Sequence, residues 1–174
     1  MTTYRAENAE CLIFTYKEGL LSKVAHDLKL QVNEFQVHWT AEEVIAEFDP
    51  RSIVVVNAMK NGQENPSALS TGDKAKVLEN MHRDVLKTKK YPKIRFSAGS
   101  LAASDARVEV DGYLELTGKK RPVRAIALQQ GAHWEVQVPL HQPDFGIKPF
   151  KALMGAIKIK PDVMIRIRLP VQGA

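Results

Sequence analysis

Two stretches carry the side-chain types that acid–base chemistry uses: His26-Asp27 and the run His82-Arg83-Asp84. An aspartate can orient a histidine as a general base. Neighbouring residues on a helix point in different directions, however, and no motif sets a Ser or Cys nucleophile beside either stretch. His26-Asp27 therefore reads as a helix-end cap, or as a hydrogen bond fixing the chain as it enters the next strand. Arg83 and Asp84 read as ties between a helix and the body of the protein. His26, His38, His82, His133 and His141 show no His-x-His or His-x-x-x-His spacing, and the single cysteine, Cys11, cannot supply a thiolate cluster. No metal site and no cofactor is expected. Gly62, Gly72, Gly112, Gly118 and Gly131 are isolated at turns or within strands, not gathered into a phosphate-binding loop. Gly112 either admits a bulky group close to the chain or marks a bend, and the bend is the simpler reading. Asp144-Phe145-Gly146 matches a protein-kinase triplet, but no Gly-rich loop, strand lysine or catalytic loop accompanies it. The expectation is a protein with no catalytic residues. The alternative is a hydrolase or isomerase of a lipophilic substrate, working through His26 or His82.

Composition narrows the classes further. With 174 residues, 44% hydrophobic and 26% charged, the chain suits one domain over 1–174 with a real core, not a disordered or membrane protein. No apolar run approaches the roughly 20 residues needed to cross a bilayer. The first residues, MTTYRAENAECLIFTY, show no basic segment followed by an apolar one, so no secretory leader is read. A lone cysteine excludes an internal disulfide, and a cytoplasmic setting is expected. The net charge of +5 raises the question of nucleic acid. The denser cations, Lys87-Lys89-Lys90 and Lys119-Lys120-Arg121, fall at a helix end and a turn, where charge has local uses. Aromatics, at 7%, do not interleave with basic residues as a stacking platform would, so no nucleic-acid partner is expected.

The elements that must position these residues are mostly strands. Strict alternation of apolar and polar side chains predicts strands over 107–117, 123–128, 133–140 and 162–169, joined as an antiparallel meander. Further strands are read at 10–16, 28–39, 44–48 and 53–59, and Ile94, Phe96 and Ala98 supply another. A helix over 73–89, capped by Ser70 or Thr71, carries the stripe Val77, Leu78, Met81, Val85 and Leu86. A shorter helix is read at 19–27. Tyr91-Pro92 ends the main helix, because a proline disfavours helical geometry at the residue before it. About eight strands can close into a barrel that either fills with side chains or holds one small ligand. The fold class predicted is therefore all-β and antiparallel: a barrel with a main helix over one opening or across its side, a two-sheet sandwich being the alternative.

The stretches MHRDVLKTKKYPKIRFSA, VDGYLELTGKKRPVRA and PLHQPDFGIKP, in this order and spacing, resemble the YceI-like family of lipocalin-like barrels. The resembling elements are Arg83-Asp84, Tyr91-Pro92-Lys93-Ile94-Arg95-Phe96, Gly112 to Gly118, Pro122-Val123 and Asp144-Phe145-Gly146-Ile147. They cover residues 75–169; "AHDLKLQVNEF" stands where the family carries a His followed by Gly-x-Phe. The resemblance implies a barrel whose apolar channel takes a long-chain isoprenoid or another amphiphile; with no catalytic residues read, the binding is expected to be non-catalytic. An apolar strand face is by itself only a core, and it is the resemblance that makes it a binding surface. The expected ligand-binding residues are Phe14, Met81, Phe96, Leu114, Trp134, Val136, Phe145 and Ile165. A phosphate head would be held at the mouth by cations among Lys119, Lys120, Arg121, Lys148 and Lys151, a choice the sequence leaves open. Pairing into a homodimer is left open as well.

Overall fold

Where apolar and polar side chains alternate, the chain does form strands. The computed structural model describes residues 2–19, 24–99 and 101–171. In chain order the strands are β1 (Thr2–Arg5), β2 (Glu10–Thr15), β3 (Asp27–Val32), β4 (Phe35–Trp39), β5 (Val44–Phe48), β6 (Ile53–Lys60) and β7 (Gln63–Asn65). After helix α1 (Thr71–Asn80) come β8 (Ile94–Ala98), β9 (Leu101–Ser104), β10 (Arg107–Leu116), β11 (Lys119–Gln130) and β12 (His133–His141). The chain ends with β13 (Lys151–Ala152), β14 (Ile157–Lys158) and β15 (Asp162–Pro170). All pairing is antiparallel; thirteen strands share one sheet, and β13 and β14 form a separate hairpin.

The sheet curls because one long hairpin stands at both of its ends. β3 runs on into β4 after a break at Asn33-Glu34, and β5 runs on into β6 after a 3₁₀ turn at Pro50–Ser52. The Ser52 hydroxyl accepts the Asn33 and Glu34 backbone N–H groups at 3.2 and 2.8 Å, which fixes the break that the sequence reading of one strand over 28–39 lacks. Below the break β3 pairs with β2; above it β5 pairs with β8. Between those two partners run β8-β10-β11-β12-β15-β2. Counting each interrupted arm once, the staves are β2, β3/β4, β5/β6, β8, β10, β11, β12 and β15, the eight of a lipocalin-like barrel. The all-β expectation is borne out.

Closure is completed by the helix. Beyond the short β7, the outer edge of β6 has no strand partner among the described residues, and α1 packs there. Lys74 of α1 donates from Nζ to the Val56 carbonyl at 2.7 Å and to Asn57 Oδ1 at 3.2 Å, covering an edge carbonyl that would otherwise lack a ladder partner. Ser70 caps α1 in a reciprocal box with Asp73. After Asn80 the helix widens into a π turn, Met81–Val85, closed by the Leu86 N–H on the Met81 carbonyl at 2.8 Å. The helix thus begins two residues before the predicted 73 and ends well short of 89. Arg83 does not tie it to the barrel: its partners, Asp84, Glu79 and Asn80, all lie on the same exposed helical segment. Of the shorter helix read at 19–27, residues 20–23 lie outside the described residues; 24–26 are not helical, and Asp27 already belongs to β3.

Two glycines set local geometry. Thr117 and Gly118, both with positive φ (50 and 75), make the two-residue turn between β10 and β11, so Lys119-Lys120-Arg121 belong to the strand, not to the turn. Pro122 is tolerated within β11 because β12 pairs only from Ile126 onward. Gly112 is not a bend: β10 runs through it unbroken, and an added Cβ would meet the Phe96 ring at 2.6 Å. The glycine admits a bulky neighbour instead.

Candidate functional site

Because successive strand residues face opposite sides, the inner face of each stave is fixed by parity. Cys11, Ile13 and Thr15 of β2 point inward, as do Leu28, Leu30 and Val32 of β3, Val136, Val138 and Leu140 of β12, and Ile165, Ile167 and Leu169 of β15. These faces do not meet in the middle. They surround a cavity of about 720 Å³, inside the roughly 300–1,000 Å³ of ligand pockets. α1 adds Val77, and the π turn adds Met81 and Val85. The wall is almost wholly apolar; its polar exceptions are Thr15, His26, Asp73, Lys76, Asn80 and Gln142.

Four of those six gather at α1. Asp73, Lys76 and Asn80 fall on one face of α1, at spacings of three and four residues, and His26 precedes β3 beside them. Hydrogen bonds from Ser70 hold the Asp73 carboxyl below its ordinary value, and the charges of His26 and Lys76 act in the same direction. Asp73 is therefore an ionised cap, while His26 and Lys76 are left to face the mouth. Gln142 is occupied, with Nε2 donating to the Lys160 carbonyl at 3.0 Å. Thr15 is different: its Oγ1 is buried in the wall without a hydrogen-bond partner among the described residues. A buried hydroxyl of that kind calls for a partner.

Six of the expected binding residues line the cavity: Met81, Phe96, Leu114, Val136, Phe145 and Ile165. Phe14 does not. It has the opposite parity to Ile13 and lies on the outside of β2, with the Arg166 guanidinium 5.0 Å from its ring centroid. Trp134 shares the parity of Val136, but its ring packs on Trp39 with centroids 5.6 Å apart, and Trp39 forms the wall there. The expected mouth cations also divide. Lys119 covers Gly146, Lys120 sits 5.2 Å from the Tyr113 ring centroid, and Arg121 donates to the Asp144 carbonyl at 3.0 Å, none of them lining the cavity. Lys148 and Lys151 alternate with the wall residues Ile147, Phe150 and Ala152. Sequence reading missed His26 and Lys76 as mouth residues; Lys76, one residue before the stripe position Val77, was the available signal.

The residues weighed for chemistry have structural partners. Asp27 Oδ1 accepts the Lys17 backbone N–H at 2.8 Å, fixing the chain as it enters β3. His82 contacts the buried Thr88, whose N–H donates to the His82 carbonyl at 3.0 Å and closes the helical segment. Burial pushes the Cys11 thiol up to about 12, which keeps it protonated and poorly nucleophilic. Among the described residues, no three His, Cys, Asp or Glu side chains gather as metal ligands. No helix among the described residues is long and apolar enough to cross a membrane.

Known structures share the fold. BcnA of Burkholderia cenocepacia superposes with a TM-score of 0.60 at 16% identity, over 92% of this chain and 94% of that one. A polyisoprenoid binding domain from Saccharophagus degradans, implicated in plant cell wall breakdown, gives 0.57 at 12% identity over 92% and 91%. The YceI protein of Campylobacter jejuni gives 0.57 at 13% identity over 88% and 87%. No curated protein is matched by sequence. The model of the YceI-like domain matches residues 4–171, reaching through the N-terminal staves that the sequence motifs did not cover. With nearly its whole length so matched, the chain belongs to the YceI-like family.

Proposed function

We propose that the barrel binds one long-chain lipophilic molecule, isoprenoid-like with an anionic head, and carries or stores it unchanged. The observation that carries this reading is the cavity of about 720 Å³, lined almost wholly by apolar side chains, with His26, Asp73, Lys76 and Asn80 grouped along α1. Each buried CH₂ of a ligand is worth about 0.8 kcal/mol, so a long chain binds tightly with few polar contacts. His26 and Lys76 at the mouth suit a phosphate or carboxylate head, and the unpartnered Thr15 hydroxyl offers one further hydrogen bond. The Saccharophagus degradans neighbour is described as binding polyisoprenoid, which supports the same class of ligand here. Non-catalytic binding is supported by the partners already assigned to Asp27 and His82, and by the protonated Cys11.

The experiment is extraction of the purified protein into organic solvent, followed by mass spectrometry. One isoprenoid or fatty species in stoichiometric yield is expected. An empty extract, together with failure to take up prenyl phosphate or fatty acid from solution, overturns the reading. Turnover of a bound lipid that His26→Ala abolishes with the fold intact would overturn the non-catalytic part alone.

A further inference from the structure

The rim of the cavity carries apolar side chains that no part of the described fold covers. After Phe150 the chain forms a short hairpin in which Lys151 stands opposite Lys158 and Ala152 opposite Ile157. Ala152 and Ile157 line the cavity, so strand alternation turns the two lysines away from it. At the tip, Leu153 is 65% exposed although it also lines the cavity, and Met154 is wholly exposed. Val24, on the neighbouring loop, likewise lines the cavity while 52% exposed. The hairpin is anchored beside the end of β2, where Lys17 bridges to Ile159 and the Glu18 N–H donates to the Lys158 carbonyl at 2.8 Å.

Three features of this tip are costly in water. Large apolar side chains at a fully solvated turn gain nothing from burial. Leu153 and Met154 both adopt positive φ, 49 and 54, a conformation that glycine or asparagine would hold with less strain. Lys151 and Lys158 are like charges placed directly opposite one another, an arrangement that weakens a ladder. Lys148 and Lys160 flank the hairpin, and among the described residues none of these four lysines forms an ion pair.

One environment removes the solvation and charge costs. Entering the headgroup layer of a bilayer, the tip would bury Leu153 and Met154, while the lysines would remain at phosphate level. Anionic lipid would also screen the Lys151–Lys158 repulsion. A protein partner fits less well, because two tip side chains fall far short of the roughly 1,000 Å² that a stable protein interface buries. We propose that the hairpin over 151–158 docks the mouth of the cavity on an anionic phospholipid surface. The proposal rests on the lipophilic-cargo reading for its purpose, since docking lets a long apolar chain pass between bilayer and barrel without crossing water, but its geometry is independent.

The test is sedimentation of the protein with phosphatidylcholine vesicles, with and without phosphatidylglycerol. Binding to the anionic vesicles only, weakening as salt is raised, is expected. Leu153→Ser with Met154→Ser, and separately Lys151→Glu with Lys158→Glu, should each lower the vesicle partition constant at least about tenfold, which is some 1.4 kcal/mol. The hairpin lies outside the main sheet, so both double variants should keep the parent thermal midpoint. Met154→Trp gives an independent reading: its emission should shift to shorter wavelength on anionic vesicles and not on neutral ones. The proposal is overturned if the parent protein fails to prefer anionic vesicles, or if the serine variant still binds them. It is equally overturned if light scattering shows a dimer that the serine variant breaks, because the tip is then a self-association site. Extracting lipid from the same samples separates the two readings. Cargo retained by the glutamate variant, whose altered side chains point away from the cavity, when it no longer docks upholds both, while an empty cavity in a protein that still docks removes the cargo reading alone.

Discussion

The ring of Phe96 occupies the space that a side chain on Gly112 would need: an ideal Cβ there would lie 2.6 Å from Phe96 Cζ. The same Cβ would come within 2.6 Å of the Ser97 carbonyl oxygen and 2.8 Å of the Ala98 Cβ. A flexible side chain could swing away, but the β8 backbone cannot, since it is paired to β5 and β10 at once. Gly112→Ala should therefore destabilise the protein by about 2–3 kcal/mol, as over-packing does. In urea unfolding the midpoint should fall with an unchanged slope. Adding Phe96→Leu should recover only part of the loss, because the carbonyl remains.

Lys74 and Arg83 lie one helical face apart and make opposite predictions. Lys74 reaches the edge of β6, so Lys74→Met leaves the Val56 carbonyl short of a partner and should cost about 1–2 kcal/mol. Hydrogen exchange along α1 should rise with it. Arg83→Ala removes only exposed contacts within its own helical segment and should leave the urea midpoint unchanged. Equal losses from the two substitutions would contradict the view that Lys74 anchors the helix.

The buried thiol gives an alkaline signature. The Cys11 pKa is pushed from 9.0 to about 12 in the folded protein, chiefly by burial. Between those values the unfolded chain loses a proton that the folded one keeps, so stability is complete below about pH 9 and falls as pH rises toward about 12. Tyr4, also raised by burial, adds a slope of the same sign. Cys11→Ala should remove one proton's worth of the slope without abolishing it. Urea midpoints measured at pH 8 and at stepped alkaline values check this, and an unchanged slope in the variant would count against a buried thiol.

The strands that sequence reading located best are those with a single credible buried face. Along β12 and β15, apolar residues alternate with Glu135, Arg166 and Arg168, so parity had one solution. Along β2 both faces are apolar, Cys11-Ile13 against Leu12-Phe14, and choosing the bulkier ring put Phe14 on the wrong side. What breaks the tie is Arg166 on the adjoining strand, which covers Phe14 from outside and becomes visible only with the register Met164↔Phe14 known. The mouth was hidden for a related reason. His26 and Lys76 are fifty positions apart and reach the same cavity only because α1 packs against the outer edge of β6. Strand 28–39, read as one element, is one stave with a break. Its hydroxyl anchor, Ser52, comes from the opposite arm of the hairpin and leaves no local signal.

The two sides of β2 and β15 make the sharpest test of the cavity. Ile165 points into it and Phe14 points out, although their strands are hydrogen-bonded neighbours. Ile165→Trp should project an indole into space that is already open, so the protein should keep its thermal midpoint instead of suffering the usual cost of over-packing. The same indole takes room from the cargo. Losing burial of two CH₂ groups forfeits about 1.6 kcal/mol, on the order of tenfold in affinity. Phe14→Ala should leave cargo binding unchanged and cost only the contact under Arg166. Cargo per mole of protein is read by extraction and mass spectrometry, and affinity by titration with a prenyl phosphate. Full cargo in Ile165→Trp together with loss in Phe14→Ala would place the ligand outside the barrel and refute the assignment.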